Sequence, residues 1–105
     1  MTGYITWMRG GESFRANVDV CVLVSDRINL SYSNKQKGFA GRLTFGARRG
    51  NQKTEGTWQW DGEIAWKAAV AGEIAKLTRN QFEFEGSWDE NDGPPWDLFV
   101  ISSLS

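Results

Sequence analysis

The sequence predicts an all-β fold, a small up-and-down or OB-like β-barrel of about eight strands, on three observations. Short stretches alternate apolar and polar residues with a period of two, as a strand with one covered and one wet face requires. Gly, Asn and Asp fall between those stretches, where tight turns need them. The third is an internal echo. Glu55-Gly56-Thr57-Trp58 with Trp66 and Val70 recurs as Glu85-Gly86-Ser87-Trp88 with Trp96 and Val100, each pair 30 residues apart. More weakly, Gly3-Tyr4-Ile5-Thr6-Trp7 matches Gly41-Arg42-Leu43-Thr44-Phe45. A repeated strand-turn-strand unit suits a meander that closes on itself, with Gly relieving crowding beside a bulky neighbour. With 105 residues, one domain spanning 1–105 is expected.

The elements follow in order. Tyr4 to Met8 reads as a strand, then Arg9-Gly10-Gly11-Glu12 as a turn. Phe14 to Ser25 is a longer strand, with Val18, Val20, Val22 and Val24 on one face and Cys21 and Leu23 on the other. Apolar residues on both faces imply cover on both sides, by a central position or a homodimer contact. Ile28, Leu30 and Tyr32 alternate with Asn29, Ser31 and Ser33, and Asn34 to Gly38 forms a polar turn. Leu43 and Phe45 mark the next strand, Arg48 to Lys53 a loop, and Trp58 and Trp60 lead into Asp61-Gly62, the best hairpin signal in the chain. Ile64, Trp66, Ala68 and Val70 return on one face.

Residues 62–78 are ambiguous. Five alanines among Glu, Lys, Ile and Leu, after a capping Asp61, favour one short helix packed on or plugging the barrel. At helical spacing, however, Glu63, Lys67 and Glu73 fall among Trp66, Val70, Ile74 and Leu77, so no apolar stripe forms. Two strands broken near Gly72 are the first expectation. Phe82, Phe84, Gly86 and Trp88 then alternate with Glu83, Glu85, Ser87 and Asp89, and the loop Glu90 to Pro95 precedes a last strand, Trp96 to Ser103.

Composition excludes much. The chain has no His and a single Cys, Cys21, which argues against zinc clusters, His-dependent acid–base catalysis and disulfides within the chain. Cys21 sits in an apolar run and reads as a small buried residue. No run of 18 apolar residues occurs, so no membrane partner is expected, and the N-terminus shows no secretory pattern, which makes the cytoplasm the expected compartment. Six Trp and six Phe supply large rings for a core. Net charge is only −1, yet residues 1–53 hold nine Lys/Arg against three Asp/Glu, and residues 54–105 three against ten. Closing a barrel can set such strips side by side and neutralise them. Otherwise the molecule carries a dipole that draws polyanions or charged partners.

Two surfaces are candidates for binding. Trp60 flanks a turn and Trp96 follows Pro94-Pro95, with Asp61, Asp92 and Asp97 nearby. Indole rings stack on apolar ligand faces and carboxylates bond hydroxyls, which is what a small organic molecule or a saccharide needs. Trp58, Trp66 and Trp88 alternate in phase with apolar residues and read as core. The acids lack the set geometry of a glycosidase pair and the spacing of a Ca²⁺ loop, so no catalytic residue, metal ligand or cofactor is expected. The second surface is the basic stretch 27–53, where Lys37, Arg42, Arg48 and Arg49 lie with Phe39, the ingredients of a single-stranded nucleic-acid platform.

Gly3-Tyr4-Ile5-Thr6-Trp7, Phe14, Asp19-Val20-Cys21-Val22 with Ser25, and Lys37-Gly38-Phe39-Ala40 fall in the order seen in cold-shock domains, and residues 3–43 resemble that family. The resemblance implies an OB barrel that binds nucleic acid, with Trp7 and Phe14 as base-stacking residues. The family's other platform rings are replaced here by Ala16, Cys21 and Val24, and its Lys-Gly pair by Glu12-Ser13. The Gly-Thr-Trp and Gly-Ser-Trp signatures also resemble those of ligand-carrying barrels such as avidins and lipocalins. The leading expectation is a non-enzymatic binding module for a small organic molecule or saccharide. Nucleic-acid binding comes second, and a protein-interaction or inhibitor domain third.

Overall fold

The computed structural model describes Thr2 to Leu104. Eight strands follow one another: β1 (Gly3–Arg9), β2 (Glu12–Val24), β3 (Arg27–Asn34), β4 (Phe39–Gly46), β5 (Gly50–Trp60), β6 (Trp66–Leu77), β7 (Gln81–Asp89) and β8 (Trp96–Ser103). Each pairs antiparallel with its neighbours in sequence, and β8 pairs with β1 to close the barrel. The topology is therefore up-and-down, and the OB alternative, a five-stranded Greek key, is set aside. The cold-shock resemblance goes with it: Trp7 and Phe14 are directly paired on β1 and β2, Trp7 is buried, and Phe14 packs against the core.

Alternation places Ile5, Val18, Leu30, Leu43, Val70, Phe84 and Val100 among the buried inner residues, while Arg15, Asn29, Arg42 and Glu85 lie on the exposed phase. Two register shifts change the phase within a strand. One lies between Val18 and Val20, so Asp19 is an extra residue: Val18 and Cys21 both point inward, and Val20 and Val24 face out, each more than half exposed. This corrects the expected single face for the four valines, because a bulge inverts alternation beyond it. The second shift lies between Ile74 and Lys76.

Residues 62–78 contain no helix and no break. β6 runs through Gly72, which pairs with Gly86 on β7. A methyl group on Gly72 would strike the Glu85 carbonyl, so the two glycines let adjacent backbones close up, and pairing on both sides overrides the helical preference of the alanines. Ile64 is in the β5–β6 loop and 86% exposed, outside any strand. The loop expected over Arg48–Lys53 is shorter, since β5 begins at Gly50; the Gln52 side chain accepts from the Gly46 N–H and donates to the Arg48 carbonyl, bridging that turn.

In a meander, turns alternate between ends. The β1–β2, β3–β4, β5–β6 and β7–β8 connections meet at one end, called the mouth. The other three meet at the floor, with Thr2 and Leu104. Around the ring β3 and β4 lie opposite β7 and β8. The basic and acidic strips are thus on opposite sides, not paired across strands. The described ion pairs, Lys67–Glu55 at 3.8 Å and Lys76–Glu83 at 3.9 Å, both join residues of the acidic half.

Candidate functional site

Each hairpin that closes at the mouth brings inward rings beside its turn. Trp7 pairs with Phe14 on β1–β2, Trp58 with Trp66 on β5–β6, and Trp88 with Trp96 on β7–β8, while Phe39 pairs with Trp60 across β4–β5. Trp7 is the hub, with the rings of Tyr32, Phe39, Trp58 and Trp88 between 5.2 and 6.1 Å away. Phe39 stacks on Trp58 at 4.3 Å. Two glycines make this density feasible. A side chain at Gly56 would run into the Trp88 ring and Leu43, and one at Gly41 into the Tyr32 hydroxyl, which donates to the Thr57 carbonyl.

The rings do not fill the end of the barrel. A cavity of about 430 Å³ remains, inside the range of about 300–1,000 Å³ usual for small-molecule sites. Its aromatic lining comes from Trp7, Phe14, Trp58, Trp60, Trp66, Trp88 and Trp96, and its charged lining from Glu12, Lys67, Glu90 and Asp92. Trp7 is 3% exposed, and its indole Nε1 is a buried donor with no acceptor among the described residues. Leaving such a donor unpaired costs about 1–3 kcal/mol. The neighbouring Trp88 contrasts with it, since its Nε1 donates to Glu90 Oε1 at 2.7 Å. Burial, reinforced by the Glu90 charge, pushes the Tyr32 phenol far above its ordinary value, so it stays a neutral donor.

The β7–β8 loop forms part of the rim. Asn91 adopts a left-handed conformation, φ 67°, with its N–H bonded to Asp89 Oδ1, a turn that Asn tolerates well. Arg9 straps the loop down: its guanidinium lies 4.2 Å over the Trp96 ring and donates to the Pro94 carbonyl.

Of the residues singled out in the sequence, Trp60, Trp96 and Asp92 line the cavity. Trp60 is 36% exposed, whereas Trp96 is 8% exposed beneath Arg9. Asp61 sits in the β5–β6 turn outside the lining, and Asp97 is on the outer face of β8 beside Thr6, Met8, Glu85 and Phe99. The residues of the basic stretch are dispersed. Lys37 is in the β3–β4 turn at the mouth, Arg42 on the outside of β4, and Arg48 and Arg49 in the β4–β5 turn at the floor. Phe39 points into the barrel and is buried, away from any outer platform. Trp58, Trp66 and Trp88, read from the sequence as core, are cavity walls, as are Trp7 and Phe14, which it offered only as base-stacking residues; Glu12 and Glu90 were not foreseen as charges of the lining. Trp66, read as core, is 50% exposed. The 30-residue echo was the available signal, because it records the two cross-strand Trp pairs of the β5–β6 and β7–β8 hairpins. Comparisons with protein-family models, with curated proteins and with solved structures each found no match.

Proposed function

We propose that this protein is a non-enzymatic binding module that holds a small, largely apolar organic molecule in the mouth of its barrel. The observation that carries this reading is the aromatic cavity of about 430 Å³ at the mouth, lined by all six Trp and by Phe14. A void of this size among large rings, with a few charged groups in its lining, has the dimensions and chemistry of a small-molecule site. A saccharide fits the arrangement less well, because the guanidinium of Arg9 covers a face of the Trp96 ring, and neither Asp61 nor Asp97 lines the cavity.

The test is a titration of indole fluorescence with 3-tert-butylphenol, an uncharged probe with an apolar body and a hydroxyl acceptor. A saturable change that persists in Arg48→Ala/Arg49→Ala and is lost in Trp58→Ala/Trp66→Ala supports the reading. A response that survives the loss of those two rings contradicts it.

The basic strip supports a second reading, polyanion binding, because Arg27, Arg42, Arg48 and Arg49 lie across the barrel from the acidic strands. Its signature is oligonucleotide affinity that falls steeply with salt and with Arg48→Ala/Arg49→Ala.

A further inference from the structure

The charges around the cavity are unequally matched. Glu12, Glu90 and Asp92 contribute carboxylates to its lining, and Lys67 the one basic group. Lys67 is balanced by Glu55, 3.8 Å away. Arg9, the other nearby cation, is spent on the Trp96 ring and the Pro94 carbonyl. What remains is a box of indole and phenyl rings edged by carboxylates. Ring faces are electron-rich, and they attract a cation whose charge is spread over bulky apolar groups, because such a cation loses little hydration on entering. Small, strongly hydrated cations gain nothing comparable there.

Resting on the reading of the mouth as a ligand site, we infer that its ligand is an organic cation of the quaternary ammonium or aromatic-cation class. The charged group lies against the rings of the rim, and the inner rings, Trp7 and Trp88, take an apolar body. Rim and walls together describe an amphiphilic molecule with a cation at one end and an apolar or aromatic body at the other.

The test uses two probes of the same shape, (3-hydroxyphenyl)trimethylammonium and 3-tert-butylphenol, which differ in the nitrogen or carbon that bears three methyl groups. Calorimetry on the full chain at low salt is expected to give the cation about tenfold tighter binding. Glu12→Gln/Asp92→Asn, exchanges that keep side-chain size at the rim, are expected to reduce that preference several-fold. Glu90→Gln keeps an oxygen for the Trp88 indole and is expected to act in the same direction. Equal or tighter binding of the phenol overturns the cation assignment and leaves the proposed function standing. A cation preference untouched by the three exchanges also overturns it, since the charge would then be read elsewhere. If neither probe binds at millimolar concentration, both readings fall.

Discussion

The two ends of the barrel are built by the same alternation and differ in what it encloses. Toward the floor, Val18, Ile28, Phe45, Ile74, Phe82, Phe84 and Val100 are fully buried and in mutual reach; Phe45 lies 5.4 Å from Phe82 and 4.7 Å from Phe84. Toward the mouth the side chains are larger, yet a cavity is left among them. Aliphatic groups and Phe interlock from strand to strand, whereas edge-on indoles, such as Trp7 against Trp58 at 87° and Trp88 at 82°, hold one another apart. The floor half is a close-packed core, and the mouth half leaves a ring-lined cavity.

Substitutions can break this contrast. Phe84→Ala, at the floor, should cost about 3–5 kcal/mol in urea unfolding; a loss below 1 kcal/mol would mean that the floor is not the packed half. Gly56→Val lies between the halves and forces a branched side chain against Trp88 and Leu43, so about 1–3 kcal/mol should be lost as overpacking, measured the same way. Trp66→Ala at the rim should do the opposite of Phe84→Ala: stability stays within about 1 kcal/mol, while affinity for 3-tert-butylphenol drops about tenfold.

A smaller effect sharpens the comparison from the floor side through pH. Burial raises the Cys21 thiol above its ordinary value of 9.0, and a hydrogen bond with Ser102 offsets part of that rise. The folded state therefore keeps its proton at a pH where the unfolded chain releases it. The resulting stabilisation is full below about pH 9 and declines as pH climbs through the folded value. Tyr32 acts with the same sign at higher pH. Urea midpoints should fall on the alkaline side, less steeply in Cys21→Ala, and a thiol reagent should label Cys21 only as fast as the chain unfolds.

Much of this architecture was legible because period-two patterning reports directly on which face of a strand is covered. Phe82–Asp89 and Trp96–Ser103 were readable almost to the residue, since a polar loop containing Pro94-Pro95 separates two uninterrupted alternations. The valines after Asp19 were not. A bulge adds one residue without any marker in composition, and every side chain beyond it changes sides. Residues 62–78 misled for a different reason. Intrinsic helix preference is local, whereas the Gly72–Gly86 approach that holds β6 flat against β7 depends on a strand 14 residues away. The site was half visible. Trp60, Trp96 and Asp92 stood out through their turns, but walls and core carry the same inward phase, so no pattern separates Trp66 from Trp88. The fate of the two charge strips depended on the order of strands around the ring. Closure brings β1 to β8 and leaves the charged segments facing away from each other.

The central claim is that the mouth is a binding site and not an imperfectly packed core, and the indole N–H resonances of its rim test it most directly. In ¹H–¹⁵N spectra, titration with 3-tert-butylphenol should move the signals of Trp58, Trp60 and Trp66 saturably and leave the amides of Phe45, Phe82 and Phe84 unmoved. Indole signals that stay fixed while shifts scatter over the outer strands would contradict the account.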